Sequence, residues 1–477
     1  MTENDTFGPA EGPVGEPARQ ASGRLSRRGF LAVGALFTAG SATLLAACSS
    51  DKKSSDTTSS SSSSAPSSGA SSSAAAASFA GITLNVACNP TDVQAATAAG
   101  KLWGAKTGAT VNAVVVPYAE RATDYATMIV SKDPHYDVLF ASVDFVSNFG
   151  DRIYDDLGDL GGQTKDLIPA ALGQLSKGGK LFAAPLFADM EFFIYNKADL
   201  KDAGIDETSL PTTWDEMFAL APKLNTSGRA ANVTPLNTIG TAYWIAFYNS
   251  LGGKMFNEDK TELMFDNDMS LKTWQTFEKG FQTKFFDIAA ANAVGDADTQ
   301  LLFNQNLGAT EINTVGFWAQ ALSDDPQYKV KIKKEDVGVM IMPGIDAGTS
   351  GSVIVSEGFG VNKFGKHKDA ALDFVKYISA PEFQKQLVLG KAGTILPPSS
   401  ISVSADPEVV AAFPIAPLLV EQAKHQLTWP GNAPYDWNSA FTLGFTNLSK
   451  GKWTAQQAQD ETVKAVQKLI VSYVAGS

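Results

Sequence analysis

The chain has 477 residues, 44% of them hydrophobic and 10% aromatic, with a formal net charge of -12. So acidic a balance argues against a nucleic-acid partner, because phosphates demand a basic footprint. Beyond a low-complexity N-terminal stretch roughly 400 residues remain, enough for two α/β lobes with substantial cores.

The first element in chain order is an export signal. Ser26-Arg27-Arg28-Gly29-Phe30-Leu31 sets two arginines before an apolar run, the pattern of a twin-arginine signal. The run from Phe30 to Ala47 is broken by Gly34 and Gly40, so it is too short and too weak for a membrane span. It ends in Leu45-Ala46-Ala47-Cys48, which resembles a lipobox. Residues 1–47 are therefore expected to be a signal peptide and Cys48 the acylated N-terminus. Residues 48–78 are almost wholly Ser, Ala, Thr, Gly and Pro after the cysteine, and cannot bury enough apolar surface to offset their chain entropy. They are expected to form a flexible tether reaching about 30 Å, with the folded part on the extracytoplasmic face of the bacterial cell membrane. Lipidation of Cys48 leaves Cys88 unpartnered, so no internal disulfide is expected. His135, His367 and His425 lie too far apart for a zinc spacing, and no metal or cofactor is expected.

Strand-like and helix-like patterns then alternate. Ile82 to Ala87 has period-two apolarity and leads into the turn-rich Cys88-Asn89-Pro90-Thr91-Asp92. A helix follows towards Thr107, then a strand over Val111 to Pro117 and a nearly continuous apolar strand over Tyr136 to Ala141. This βαβαβ rhythm predicts a doubly wound lobe, whose ligands sit beyond the carboxyl ends of the strands, near Asn89 and Ser142. Thr213-Trp214-Asp215-Glu216 is a capping box, followed by a stripe of Met217, Leu220, Ala221 and Leu224. Asp266-Asn267-Asp268 lacks the glycine and glutamate of a calcium loop and reads as a helix start. Ala371, Phe374, Val375 and Ile378 share one helix face, and Pro381 suits the first turn of the next helix. Thr454-Ala455-Gln456-Gln457 repeats the capping-box logic ahead of Val463, Val466 and Ile470.

A set of landmarks in one order runs through this framework. Gly178 to Pro185 is followed by Phe192-Phe193-Ile194-Tyr195-Asn196-Lys197, then Leu210 to Glu216 and Leu251-Gly252-Gly253-Lys254-Met255-Phe256. Ile312 to Trp318, Val337-Gly338-Val339, Met342-Pro343-Gly344 and Gly358-Phe359-Gly360-Val361 complete the series. Together they resemble the extracellular solute-binding proteins of ABC importers, in the carbohydrate-binding family that includes maltose-binding protein. The resemblance covers Phe79 to the C-terminus. It implies a two-lobed periplasmic-binding-protein-like α/β fold of type II, with discontinuous lobes and a ligand cleft between them. Lobe 1 is expected over 79–188 plus 357–405, and lobe 2 over 189–356 plus 406–477.

Sugars present apolar C–H faces and a rim of hydroxyls, so their sites combine flat aromatic walls with directed polar side chains. Asn89 and Asp92 follow the first strand, with a turn role as the equal alternative. Asp144 follows the third strand, Phe187 and Asp189 lie in the first crossover, and Glu357 lies in the second. Trp318 matches the family's Gly-x-Trp wall, with two residues inserted before it. Tyr243 and Trp244 are adjacent, so at most one is expected to face the cleft. Trp429 and Trp437 bound an aromatic, proline-rich stretch that resembles the family's cleft-bordering segment. The expected function is binding without bond-breaking: a monomer captures a di- or oligosaccharide by cleft closure and delivers it to ABC permease subunits. Two alternatives stay open. The same fold could hold a polyamine or another small metabolite, or the chain could be a glycoside-active enzyme with paired carboxylates.

Overall fold

The computed structural model describes residues 78–476 apart from 238, 239, 294, 428, 432 and 433. The expected signal peptide, Cys48 and the tether up to residue 77 lie outside the described residues.

Strands β1 (Thr83–Cys88), β2 (Thr110–Val115) and β3 (Val138–Ala141) lie parallel in the order β2-β1-β3. The strand Gly358–Val361 then pairs antiparallel with β3, setting Gly358 against Ala141, and Ala184–Pro185 closes the edge. β3 is buried along its whole length because helices cover both faces of the sheet. Helix α1 (Val93–Thr107) packs closely against β2, since a β-carbon on Gly100 would sit only 2.5 Å from Val111 Cβ. Trp103 on α1 donates from Nε1 to Asp373 (2.6 Å) and lies edge-on to Phe374, which fixes helix Lys368–Ser379 to the same core.

A second sheet has Asp189–Asn196 at its centre, antiparallel to both Gly308–Thr314 and Val337–Met340, with Ala230–Asn232 on the far edge. Alternation along the central strand builds two cores. Phe193 and Tyr195 face a cluster rich in tryptophan and phenylalanine, while Phe192 and Ile194 face another that holds Trp318, Phe413 and Leu419.

The chain passes from the first sheet to the second through residues 186–188 and returns through 356–357. These two passages are tied together: Leu186 N donates to the Glu357 carbonyl (2.8 Å) and Ser356 Oγ to the Phe187 carbonyl (2.9 Å). A third passage runs beside them, with Ala188 N donating to the Pro397 carbonyl (3.2 Å). Where the second passage begins, the buried Glu191 carboxylate accepts from Val353 N (2.8 Å) and Ser352 Oγ (3.2 Å).

Helix signals in the sequence translate into contacts. The capping box at Thr213 and Glu216 is complete, Asn267 caps helix Asp268–Gln282 through Ser270 N, and Thr454 exchanges bonds with Gln457. The stripe after Thr213 does not form one helix, however. It splits into Trp214–Ala219 and Ala221–Leu224, because Pro222 has no N–H to continue the first and suits the first turn of the second.

Candidate functional site

Four segments meet at the carboxyl end of the first sheet. Asn89 and Asp92 follow β1; helix α2 (Tyr118–Ser131) follows β2 and brings Tyr118 and Arg121. Ser142 and Asp144 follow β3 at the start of helix α3 (Val143–Phe149). Glu357 enters opposite them, one residue before Gly358 pairs with Ala141.

Arg121 lies fully buried beneath this group, its guanidinium 4.2 Å from the centre of the Phe140 ring. Its terminal nitrogens donate to Asn89 Oδ1 (3.1 Å), the Cys88 carbonyl (2.9 Å) and the Val116 carbonyl. The guanidinium thus holds the strand ends and orients Asn89, whose side chain also bonds Glu357. Asp92 is 1% exposed. Its Oδ1 accepts from Thr91 Oγ1 (3.2 Å), and its Oδ2 has no hydrogen-bond partner among the described residues. Burial raises the Asp92 carboxyl to about 6, and burial with the nearby charge of Asp92 raises Glu357 to about 7. Tyr118 donates from its hydroxyl to Asp144 Oδ2 (3.1 Å).

The second lobe faces this group with residues 254–261, 429–431 and 434–437. Lys260 is buried with a left-handed backbone (φ 56°), and its Nζ donates to the Gly431 carbonyl (3.3 Å). Burial lowers the Lys260 ammonium to about 8, against the opposing pull of Asp144 across the gap. Gly431 has φ 72°, and a β-carbon there would meet Asp144 Oδ1 at 2.6 Å and Lys260 Nζ at 3.4 Å. Gln174 Nε2 in helix α4 (Pro169–Gln174) donates to the Trp429 carbonyl (2.9 Å), a direct bond from one lobe to the other. Between them lies a cavity of about 400 Å³, lined by Val143, Ser147 and Gln174 on one side and Phe256, Lys260 and Trp429 on the other. That volume is in the range of a small-ligand pocket.

The structure therefore brings together Asn89, Asp92, Asp144 and Glu357, sets Gly431 against Asp144, and places Trp429 on the wall of the cavity that Val143 and Lys260 also line. Phe187 sits half-buried in the first passage, packed on the first core. The Asp189 carboxylate is engaged elsewhere. It accepts from Val315 N (3.1 Å) and Met190 N (2.9 Å), which anchors the start of helix Val315–Ala321. Burial raises its carboxyl to about 6, opposed by those bonds.

Four aromatic expectations are corrected, because a ring inside a core offers no free face to a sugar. Trp244 is fully buried among Tyr248, Phe265, Trp274 and Phe441. Tyr243 is buried beside it, its hydroxyl donating to the Ile312 carbonyl (3.2 Å). Trp318 packs edge-on against Phe413 at 5.6 Å in the core behind the second sheet. Trp437 lies beneath Trp429, with Nε1 donating to the Gly431 carbonyl (3.0 Å), and so supports the cleft segment without lining it. Sequence reasoning missed Tyr118, Arg121, Gln174 and Lys260. The position of Tyr118 and Arg121, at the helix start after the second strand, was the one available signal.

Residues 89–385 match the sequence profile of the bacterial extracellular solute-binding proteins. The chain belongs to that family. Among curated solute-binding relatives, a probable amino-acid ABC transporter periplasmic-binding protein of Sinorhizobium fredii is 26% identical over 246 residues, 50% of this chain and 52% of that protein. The mannitol-binding protein of Pseudomonas aeruginosa is 24% identical over 280 residues, 54% of this chain and 59% of that one. The chain thus spans little more than half the length of these two. The structure of the sugar-binding protein MalE from Xanthomonas citri superimposes with a TM-score of 0.70 at 15% identity, covering 82% of this chain and 98% of that one. At that identity the likeness establishes the fold, which is the expected two-lobed type II arrangement. No helix among the described residues is long and apolar enough to cross a membrane.

Proposed function

We propose that this solute-binding protein captures a carbohydrate, a di- or oligosaccharide, between its lobes and passes it chemically intact to the permease of an ABC importer. The observation that carries the reading is the convergence of Asn89, Asp92, Asp144 and Glu357 at the strand ends, beside an interlobe cavity that Val143, Lys260 and Trp429 help to line. Carboxylates and amides accept from sugar hydroxyls in fixed directions, and an indole covers a sugar's C–H face. The sugar and mannitol ligands named for relatives support the same class. In this reading the lobes comprise 79–188 plus 357–405 and 189–356 plus 406–477. Lipid on Cys48 holds a monomer at the extracytoplasmic face of the membrane, and a ligand that touches both lobes favours the closed form by its differential affinity.

One observation favours a second reading, a polyamine or other cationic metabolite: Asp92 keeps an unpartnered carboxylate oxygen in an acidic protein. A thermal-shift screen of mono-, di- and oligosaccharides against putrescine, spermidine and amino acids separates the two. Stabilisation by saccharides is expected; stabilisation by a polyamine or amino acid alone overturns the sugar reading. Turnover of a labelled oligosaccharide by the purified protein would contradict binding without bond-breaking.

A further inference from the structure

The two carboxylates at the inner end of the site stand in an unusual balance. Asp92 and Glu357 lie within electrostatic range of each other, and each is largely withdrawn from water. Arg121 is the cation beneath them, but three of its four terminal N–H groups go to Asn89 and two backbone carbonyls, its Nε has no hydrogen-bond partner among the described residues, and neither carboxylate receives a hydrogen bond from it. Lys260 stands on the other side of the cleft, where it donates to the Gly431 carbonyl and faces Asp144. The remaining ionisable groups around the pair are Cys88, whose buried thiol is pushed up to about 12, and Tyr118, whose hydroxyl is already given to Asp144. With both acids ionised, the nest of Asp92, Glu357 and Arg121 carries one surplus negative charge, and Asp92 Oδ2 lacks a donor.

We propose that the nest between Asp92 and Glu357 receives a protonated amine of the ligand, so that the captured carbohydrate is an amino sugar with a free ammonium group. The proposal rests on the carbohydrate reading above. A sugar hydroxyl brings one donor and no charge, whereas an ammonium brings three donors and the missing positive charge. In the ligand-free protein a proton held by the acidic pair fills this role, in keeping with their raised pKa values; the ammonium displaces it to solvent. Acetylating the amine removes the charge and two of the donors.

Isothermal titration calorimetry of the full chain near pH 7 tests this with matched sets: glucosamine, N-acetylglucosamine and glucose; the galacto and manno equivalents; and chito-, N-acetylchito- and cello-oligosaccharides. In the set that binds, the free amine is expected to bind at least about tenfold tighter than its acetylated and hydroxyl counterparts, or about 1.4 kcal/mol. Asp92→Asn and Glu357→Gln should each cut that ratio to about threefold or less. A neutral sugar that binds as tightly as its amine counterpart overturns the amino-sugar proposal and leaves the carbohydrate reading standing. Binding of putrescine or an amino acid with no saccharide bound overturns both.

Discussion

Replacing Glu357 with glutamine should stabilise the ligand-free protein, and only above acidic pH. Burial first, and the charge of Asp92 second, raise the Glu357 carboxyl from 4.5 to about 7 in the folded state. Below pH 4.5 the group is protonated whether the chain is folded or not. Between 4.5 and 7 the unfolded chain releases the proton while the fold retains it, so stability falls as pH rises and the full loss is present above 7. At about 1.4 kcal/mol per unit the shift corresponds to roughly 3 kcal/mol. Partial exposure and coupling to Asp92 bring the expected gain for Glu357→Gln to about 1–3 kcal/mol at pH 8, and to near zero at pH 4.5. Urea unfolding of both proteins without ligand, at three or four pH values, reads this directly. An equal effect of the substitution at both ends of the range would mean that the buried charge at Glu357 is not the cause. The stability lost by keeping an acid there is what a site prepared for a ligand entails.

Other substitutions separate cleft from core. Trp429→Ala should weaken saccharide binding about tenfold by calorimetry with little change in Tm, whereas Trp437→Ala and Trp244→Ala should each lower stability by about 3–5 kcal/mol in chemical unfolding. Wild-type affinity in Trp429→Ala would remove that residue from the site. Gly431→Ala places a β-carbon against Asp144 at a left-handed backbone position; it should weaken ligand binding by about tenfold or more through the closed form, and unchanged affinity would contradict the proposed closure. Thr213→Ala removes the cap of helix Trp214–Ala219 and should lower stability by about 1 kcal/mol, read as a shift in urea midpoint.

Much of the first lobe was legible because its signals are local. β1 and β3 announce themselves by apolar runs between turns, and the helices after Thr213, Asn267 and Thr454 by side chains that satisfy their own first turn. The polar residues Asn89, Asp92 and Asp144 followed from a topological rule, that whatever comes just after the strands of a parallel sheet converges, whereas Glu357 precedes an antiparallel strand and was singled out by its place in the second crossover. The aromatics were not legible in this way. Helix Gly240–Ser250 is buried on every side except at Ala242, so Tyr243 and Trp244 both turn inward although they point in different directions. The face that Trp318 presents is set by Phe413, almost a hundred positions later. Arg121 reads as a surface residue of an amphipathic helix, and nothing in its periodicity reveals that two strand-end carbonyls draw it under the site. Asp189 was found in the right segment, but its carboxylate serves a helix start that arrives from elsewhere in the chain.

The proposed function depends above all on two hinged lobes closing over a saccharide. Small-angle scattering of the protein alone and with the saccharide that most raises its Tm reads that closure without an intermediary. A smaller radius of gyration is expected with the sugar, and a return to the larger value when the sugar is dialysed away. An unchanged radius with a saturating sugar, in a sample that unfolds cooperatively, would rule the closure out.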